Sequence, residues 1–227
     1  EADLLALKAC VPRQAAGLEA VCDSYALAQA IDAAIMLGAR VINLSLSGPH
    51  DPLLARLLTR GIEGGATVVA AADPLRADQG FPASLDEVIA VTASEEGPAA
   101  DATEEVPRGL LRAVTTAEGT SAQRPSGGGP AARPGLVAAP GTDLLTTVPG
   151  GGYDFLSGSS LAAAQVAGVV ALLLERAPEL TAAEIARHLR GGTEPSPQSA
   201  RVDACLAVAA LVGMPEACGE GGSRIAR

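Results

Sequence analysis

Three short runs constrain the fold more than anything else in the sequence: residues 40–46 (RVINLSL), 66–72 (ATVVAAA) and 87–93 (EVIAVTA). Each is apolar at consecutive positions rather than alternating. That is the pattern of a strand buried on both faces, and such strands belong to parallel sheets with helices on either side. The intervals between the runs fit. Leu27, Ile31, Ala34 and Ile35 have helical spacing, with Asp23 or Ser24 as the cap and Gly38 as the stop. Asp51 and Pro52 open a second helix, Asp as N-cap and Pro as first helical residue, and it ends near Gly64 and Gly65. Residues 2–10 (ADLLALKAC) read as one more buried strand. The fold class implied is α/β, a three-layer parallel sheet with helices on both faces. Aromatic residues are only 2% of the chain while hydrophobic residues are 48%, so the core must be built from Ala, Val, Leu and Ile in close contact.

Residues 95–135 break the pattern. They are rich in Glu, Gly, Pro, Ala and Arg, with little periodicity outside 109–115, and read as a surface insertion, partly disordered. Order resumes at Leu136. Residues 159–176 form a helix that is apolar all round, hence expected at the centre of the domain. Thr181 and Glu184 make a capping box for a helix ending at Gly191, and residues 202–211 are a last helix. The expected organisation is one domain over 1–212, with the insertion inside it, and a tail over 213–227.

The net charge is −10 and no basic cluster exists to neutralise phosphates, which excludes nucleic acid as a partner. The longest apolar stretch, 162–174, contains Gln165 and is too short to span a bilayer, so no membrane span is expected. The first residue is Glu, so the chain reads as mature, processed or excised. The four cysteines fall as two local pairs, Cys10 with Cys22 and Cys205 with Cys218, without metal-binding spacing. They are either buried thiols or two short-loop disulfides. The second is expected, and it would place the protein in a secreted or periplasmic setting.

Residues 156–173 read LSGSSLAAAQVAGVVALL. A serine in the first turn of a buried helix, among small residues, sits where unpaired N–H groups favour a developing oxyanion and a substrate backbone can come close. The alternative is that Ser159 or Ser160 only caps the helix. The segment resembles the subtilase nucleophile motif, usually SGTSMAAPHVAG, through Ser157, Gly158, Ser160, Ala162, Ala163, Val166, Ala167 and Gly168. Ser159, Leu161, Ala164 and Gln165 stand for the usual Thr, Met, Pro and His. Other blocks resemble the same family in the same order. Residues 2–8 look like the strand after the catalytic-histidine helix, and 41–49 (VINLSLSGP) like VINMSLGGP. Residues 67–74 (TVVAAADP) look like the strand that ends in AAAGN, 81–83 (FPA) like YPA with its cis proline, and 137–149 like VLAPGTDILSTVP.

The resemblance implies part of a subtilisin-like serine endopeptidase, lacking the N-terminal part of the fold. Ser160 would be the nucleophile of a serine acyl-enzyme. The substrate would be a peptide or protein held as an added strand by Ser45, Leu46 and Ser47 and by Ala70, Ala71 and Ala72. Neither DTG nor HGTH occurs, so the family's Asp and His would have to come from an N-terminal segment of the same peptidase domain, expected ahead of residue 1. His50 and His188 read as surface residues rather than general bases. The family's oxyanion asparagine aligns with Pro74, which has no N–H, or after a one-residue slip with Asp73. The loss of that donor supports the rival reading, a catalytically inactive peptide-binding or scaffold module. No cofactor is called for; calcium is common in the family, but no carboxylate cluster is assigned to it.

Overall fold

The computed structural model describes residues 2–12, 20–73, 80–94, 136–148, 150–191, 200–214 and 218. The expected insertion at 95–135, Pro74 and most of the tail lie outside these residues. A parallel sheet runs in the order β3 (Val41–Leu44), β4 (Thr67–Ala71), β5 (Ile89–Ser94), β6 (Leu136–Pro140), β9 (Ala200–Arg201). Two antiparallel hairpins stand apart from it: β1 (Cys10–Pro12) with β2 (Ala20–Cys22), and β7 (Leu144–Val148) with β8 (Gly152–Leu156). The helices are α1 (Ser24–Met36), α2 (Pro52–Glu63), α3 (Ser159–Arg176), α4 (Ala182–Leu189) and α5 (Ala204–Leu211).

Alternation along the strands sorts the core into two layers. Ile42, Leu44, Val68, Ala70 and Ala90 face α1 and α2, where Leu27, Ile31, Leu54 and Leu58 meet them. Val69, Ala71, Ile89, Val91 and Val137 face the other way, against Ala162, Val166 and Val170 of α3 and Ile185 of α4. Each such Val, Leu or Ile contributes roughly 1.5–3 kcal/mol on burial. Among the described residues the only aromatic ring in the core is Phe81. The local helix signals act as their chemistry dictates. Asp23 caps α1 and Asp51 caps α2 ahead of Pro52, while Thr181 and Glu184 close a capping box on α4. The bond before Pro82 is cis.

Two expectations are overturned. Residues 2–8 are exposed and form no strand, Leu4 being 93% exposed. A strand exists only through a partner, and among the described residues the N-terminal segment finds one only at Cys10–Pro12, in the hairpin with Ala20–Cys22. The helix α3 is not buried all round. Its sheet-facing stripe is covered, while Ala164, Gln165, Gly168 and Leu172 are exposed. By length and composition alone α3 could cross a membrane, yet its stripe packs on the sheet and on α5. Two disulfides are present, Cys10–Cys22 and Cys205–Cys218. The first closes the β1–β2 hairpin and the second ties Cys218 to α5.

The sheet has an open side. Among the described residues β3 pairs with β4 alone, so its outer row of N–H and C=O groups has no strand beside it. In the N-terminal segment, Leu4, Leu5 and Leu7 are exposed and pair with no strand among the described residues.

Candidate active site

The site forms where β3, the end of β6 and the first turn of α3 converge. Ser160 is the second residue of α3 and is exposed. The N-cap is Gly158, at φ 155° and ψ 158°, a region open essentially to glycine alone. No side chain caps the helix, so neither Ser159 nor Ser160 serves as a cap. The first-turn amides are those that a helix leaves without internal partners, and they carry its partial positive field.

The turn before Ser160 is fixed from two sides. Gly158 donates its N–H to the Gly141 carbonyl at 2.7 Å. Gly141 can sit there only without a side chain, because a Cβ would stand 2.6 Å from the Ala93 methyl and 3.0 Å from the Gly158 oxygen. The Ser159 hydroxyl accepts from the Ala93 amide at 3.4 Å. Asp143, at φ 50°, donates its N–H to the Ser157 hydroxyl at 2.9 Å. One turn along α3, Gln165 donates to the Pro140 carbonyl at 2.9 Å.

On the other flank, Ser45 follows directly on β3. The Ser160 hydroxyl donates to the Ser45 carbonyl at 3.0 Å, and the Ser45 hydroxyl donates to the Ser160 carbonyl at 2.7 Å. The Asn43 amide donates to the Ser45 hydroxyl at 3.1 Å. Sequence reasoning missed this network. The signal for it was there: Asn43 and Ser45 are polar residues two apart, hence on one face, in a strand otherwise apolar on both.

The histidines stand elsewhere. His50 packs edge-on against Phe81, ring centroids 5.4 Å apart, and His188 lines a cavity of about 250 Å³ between α4 and α5. Asp73 follows β4 and is half-buried. Among the described residues no group of three or more His, Cys, Asp or Glu could hold a metal ion.

The two expected substrate walls differ. Ser45, Leu46 and Ser47 lie past the end of β3 with exposed or half-exposed surface. Ala70, Ala71 and Ala72 are buried. Ala70 is flanked by Leu44 on one side and Ala90 on the other, Ala71 pairs with Val91, and the Ala72 amide bonds to the Val91 carbonyl. Ala70 thus lies between two strands, while Ala71 and Ala72 are paired on the β5 side.

The sequence matches the model of the subtilase family over residues 8–203. The chain belongs to the subtilase family. It is 31% identical to Subtilisin DY of Bacillus licheniformis over 72% of this chain and 53% of that protein, so it spans about half of that relative's length. The solved structure of the prenylagaramide maturation protease PagA superposes with a TM-score of 0.61 at 24% identity, covering 86% of this chain and 70% of that one. The self-cleaved protease domain of PatA superposes at 0.60 with 25% identity, covering 85% and 69%.

Proposed function

We propose that this chain is the nucleophile-bearing part of a subtilisin-like serine endopeptidase that hydrolyses peptide bonds through an acyl-enzyme on Ser160. The observation that carries the reading is the place of Ser160, exposed at the head of α3 and within 3.0 Å of the segment after β3. A peptide would add as a strand along Ser45, Leu46 and Ser47, with main-chain hydrogen bonds supplying affinity. The first-turn amides of α3 would receive the oxyanion, and Asp73 would take the position of the family's asparagine, where only its protonated form could donate.

A serine hydroxyl is a poor nucleophile without a base. We assign the base and its orienting carboxylate to a companion N-terminal segment of the same peptidase domain. Two features support it: the open edge of β3, and the exposed Leu4, Leu5 and Leu7 that a completed sheet would cover. The two disulfides support a secreted or periplasmic setting. A second reading, a catalytically inactive peptide-binding module, is favoured by the resting bond of the Ser160 hydroxyl to a carbonyl rather than to a base.

Fluorophosphonate labelling of the protein at its natural length separates the two. Label on Ser160, absent in Ser160→Ala, is the result expected. A folded natural-length protein that takes no label, or a label that survives Ser160→Ala, refutes the peptidase reading.

A further inference from the structure

We propose that Asn43 and Ser45 are positioning residues, forming a side-chain relay that holds the nucleophile turn on β3. The inference rests on Ser160 being the nucleophile. A hydroxyl has one proton to donate and two lone pairs to accept with. The Ser45 hydroxyl accepts from Asn43 Nδ2 at 3.1 Å, which leaves its single proton for the Ser160 carbonyl at 2.7 Å. Asn43 therefore sets the direction of the Ser45 hydroxyl, and Ser45 sets the distance between strand and helix. The return bond, Ser160 Oγ to the Ser45 carbonyl at 3.0 Å, closes a ring across 115 residues of sequence and selects one rotamer of Ser160.

Asn43 and Ser45 are both exposed, so core packing does not dictate their side chains, and what marks them is the bonds they make to the head of α3. Asn43 and Ser45 are two apart, so they share one face of the chain with Val41, whose partners are in the α3-side core layer. Their neighbours on β4 there, Val69 and Ala71, are buried and apolar. The polar pair grips one carbonyl at the head of α3, and the turn's other anchors, Gly141 and Ala93, hold it from the far side. A hydroxyl that must meet a base and a substrate carbonyl loses rate for small displacements.

The relay makes different demands on its two members. At position 45 only a hydroxyl will do, so Ser45→Thr should preserve the relay and Ser45→Ala abolish it. At position 43 a donor is required, so Asn43→Asp should fail like Asn43→Ala: a carboxylate accepts the Ser45 proton and turns it away from Ser160.

Two measurements test this. The first is amide hydrogen exchange on chain 1–227 at Ala163 and Ala164, in the first bonded turn of α3, against Leu173 and Leu174 at its far end. In Ser45→Ala, Asn43→Ala and Asn43→Asp, exchange at the first pair should rise roughly fivefold, the order expected for one lost hydrogen bond, while the far pair and Ser45→Thr stay as in the parent. The second is the fluorophosphonate labelling rate of the natural-length protein, expected to fall by a similar factor in the same variants, and in Asn43→Ala without weaker competition by a peptide substrate. Unchanged exchange and labelling in Ser45→Ala overturn the relay and leave the peptidase reading intact. Faster exchange in variants of a protein that takes no label supports the relay and refutes the peptidase reading. Equal loosening at both ends of α3, or failure of Ser45→Thr to restore, also overturns it.

Discussion

Replacing Gly141 by Ala tests how tightly the nucleophile turn is packed. The added methyl would stand 2.6 Å from the Ala93 Cβ, 3.1 Å from the Ala93 Cα and 3.0 Å from the Gly158 oxygen. Carbon atoms pack at about 3.5–4.0 Å, so the shortfall is close to an ångström. None of the opposing atoms belongs to a flexible side chain: Ala93 has no torsion that moves its Cβ, and the other contact is main chain. The backbone must shift, and Gly158 moves with it because its N–H is bonded to the Gly141 carbonyl at 2.7 Å. Overpacking of this kind costs about 1–3 kcal/mol. For a chain of this size each kcal/mol lowers Tm by about 2–4 °C, so the expected fall is roughly 2–12 °C by calorimetry or circular dichroism. Gly168→Ala is the matched control. It lies within α3 with nothing within 4 Å of its would-be Cβ, and should gain up to about 1 kcal/mol from helix propensity. A Gly141→Ala Tm equal to or above the parent's would refute the packing argument, most directly if Gly168→Ala behaves as expected.

Chain 1–227 by itself should not hydrolyse peptides, because His50 and His188 pack elsewhere; turnover by the pure chain that Ser160→Ala abolishes would show a base that this account lacks. Reducing the disulfides should lower the urea midpoint, since closing a loop of about 15 residues is worth roughly 3 kcal/mol and the separations are 12 and 13 residues; an unchanged midpoint with thiols confirmed by alkylation would contradict this. The carboxyls of Asp51 and Glu184 are held below their ordinary range, Asp51 first by the Leu54 amide and Glu184 first by the Thr181 amide. A depressed carboxyl adds stability above its unfolded value and loses it as pH falls through the folded one. Asp51→Asn and Glu184→Gln should therefore flatten the acid limb of the stability profile, and a limb as steep as the parent's in the double variant would count against that assignment.

What the sequence by itself determined is whatever rests on local chemistry. Helix ends were legible because a cap bonds within three residues: Asp51 before Pro52, and Thr181 with Glu184. The strands β3, β4 and β5 were legible because short runs rich in Val, Ile and Ala between helix signals read as sheet strands. Ser160 stood out because its neighbours match a motif over consecutive positions. Only the tertiary structure decided what depends on a distant partner. Residues 2–8 carry a strand pattern yet pair with no strand among the described residues, because the hydrogen bonds of a strand belong to its neighbour as much as to itself. The two-residue β9 and the β7–β8 hairpin escaped notice for the same reason: pairing rather than pattern defines them. The exposed stripe on α3 could not be read from a helix apolar all round, since composition does not say which face meets the sheet. Asn43 and Ser45 marked a polar face in the sequence, but their link to Ser160 exists only because β3 and α3 pack together across 115 residues. Local bonds can be read from neighbouring letters, whereas a contact between distant segments exists only once burial of the core has fixed where each segment lies.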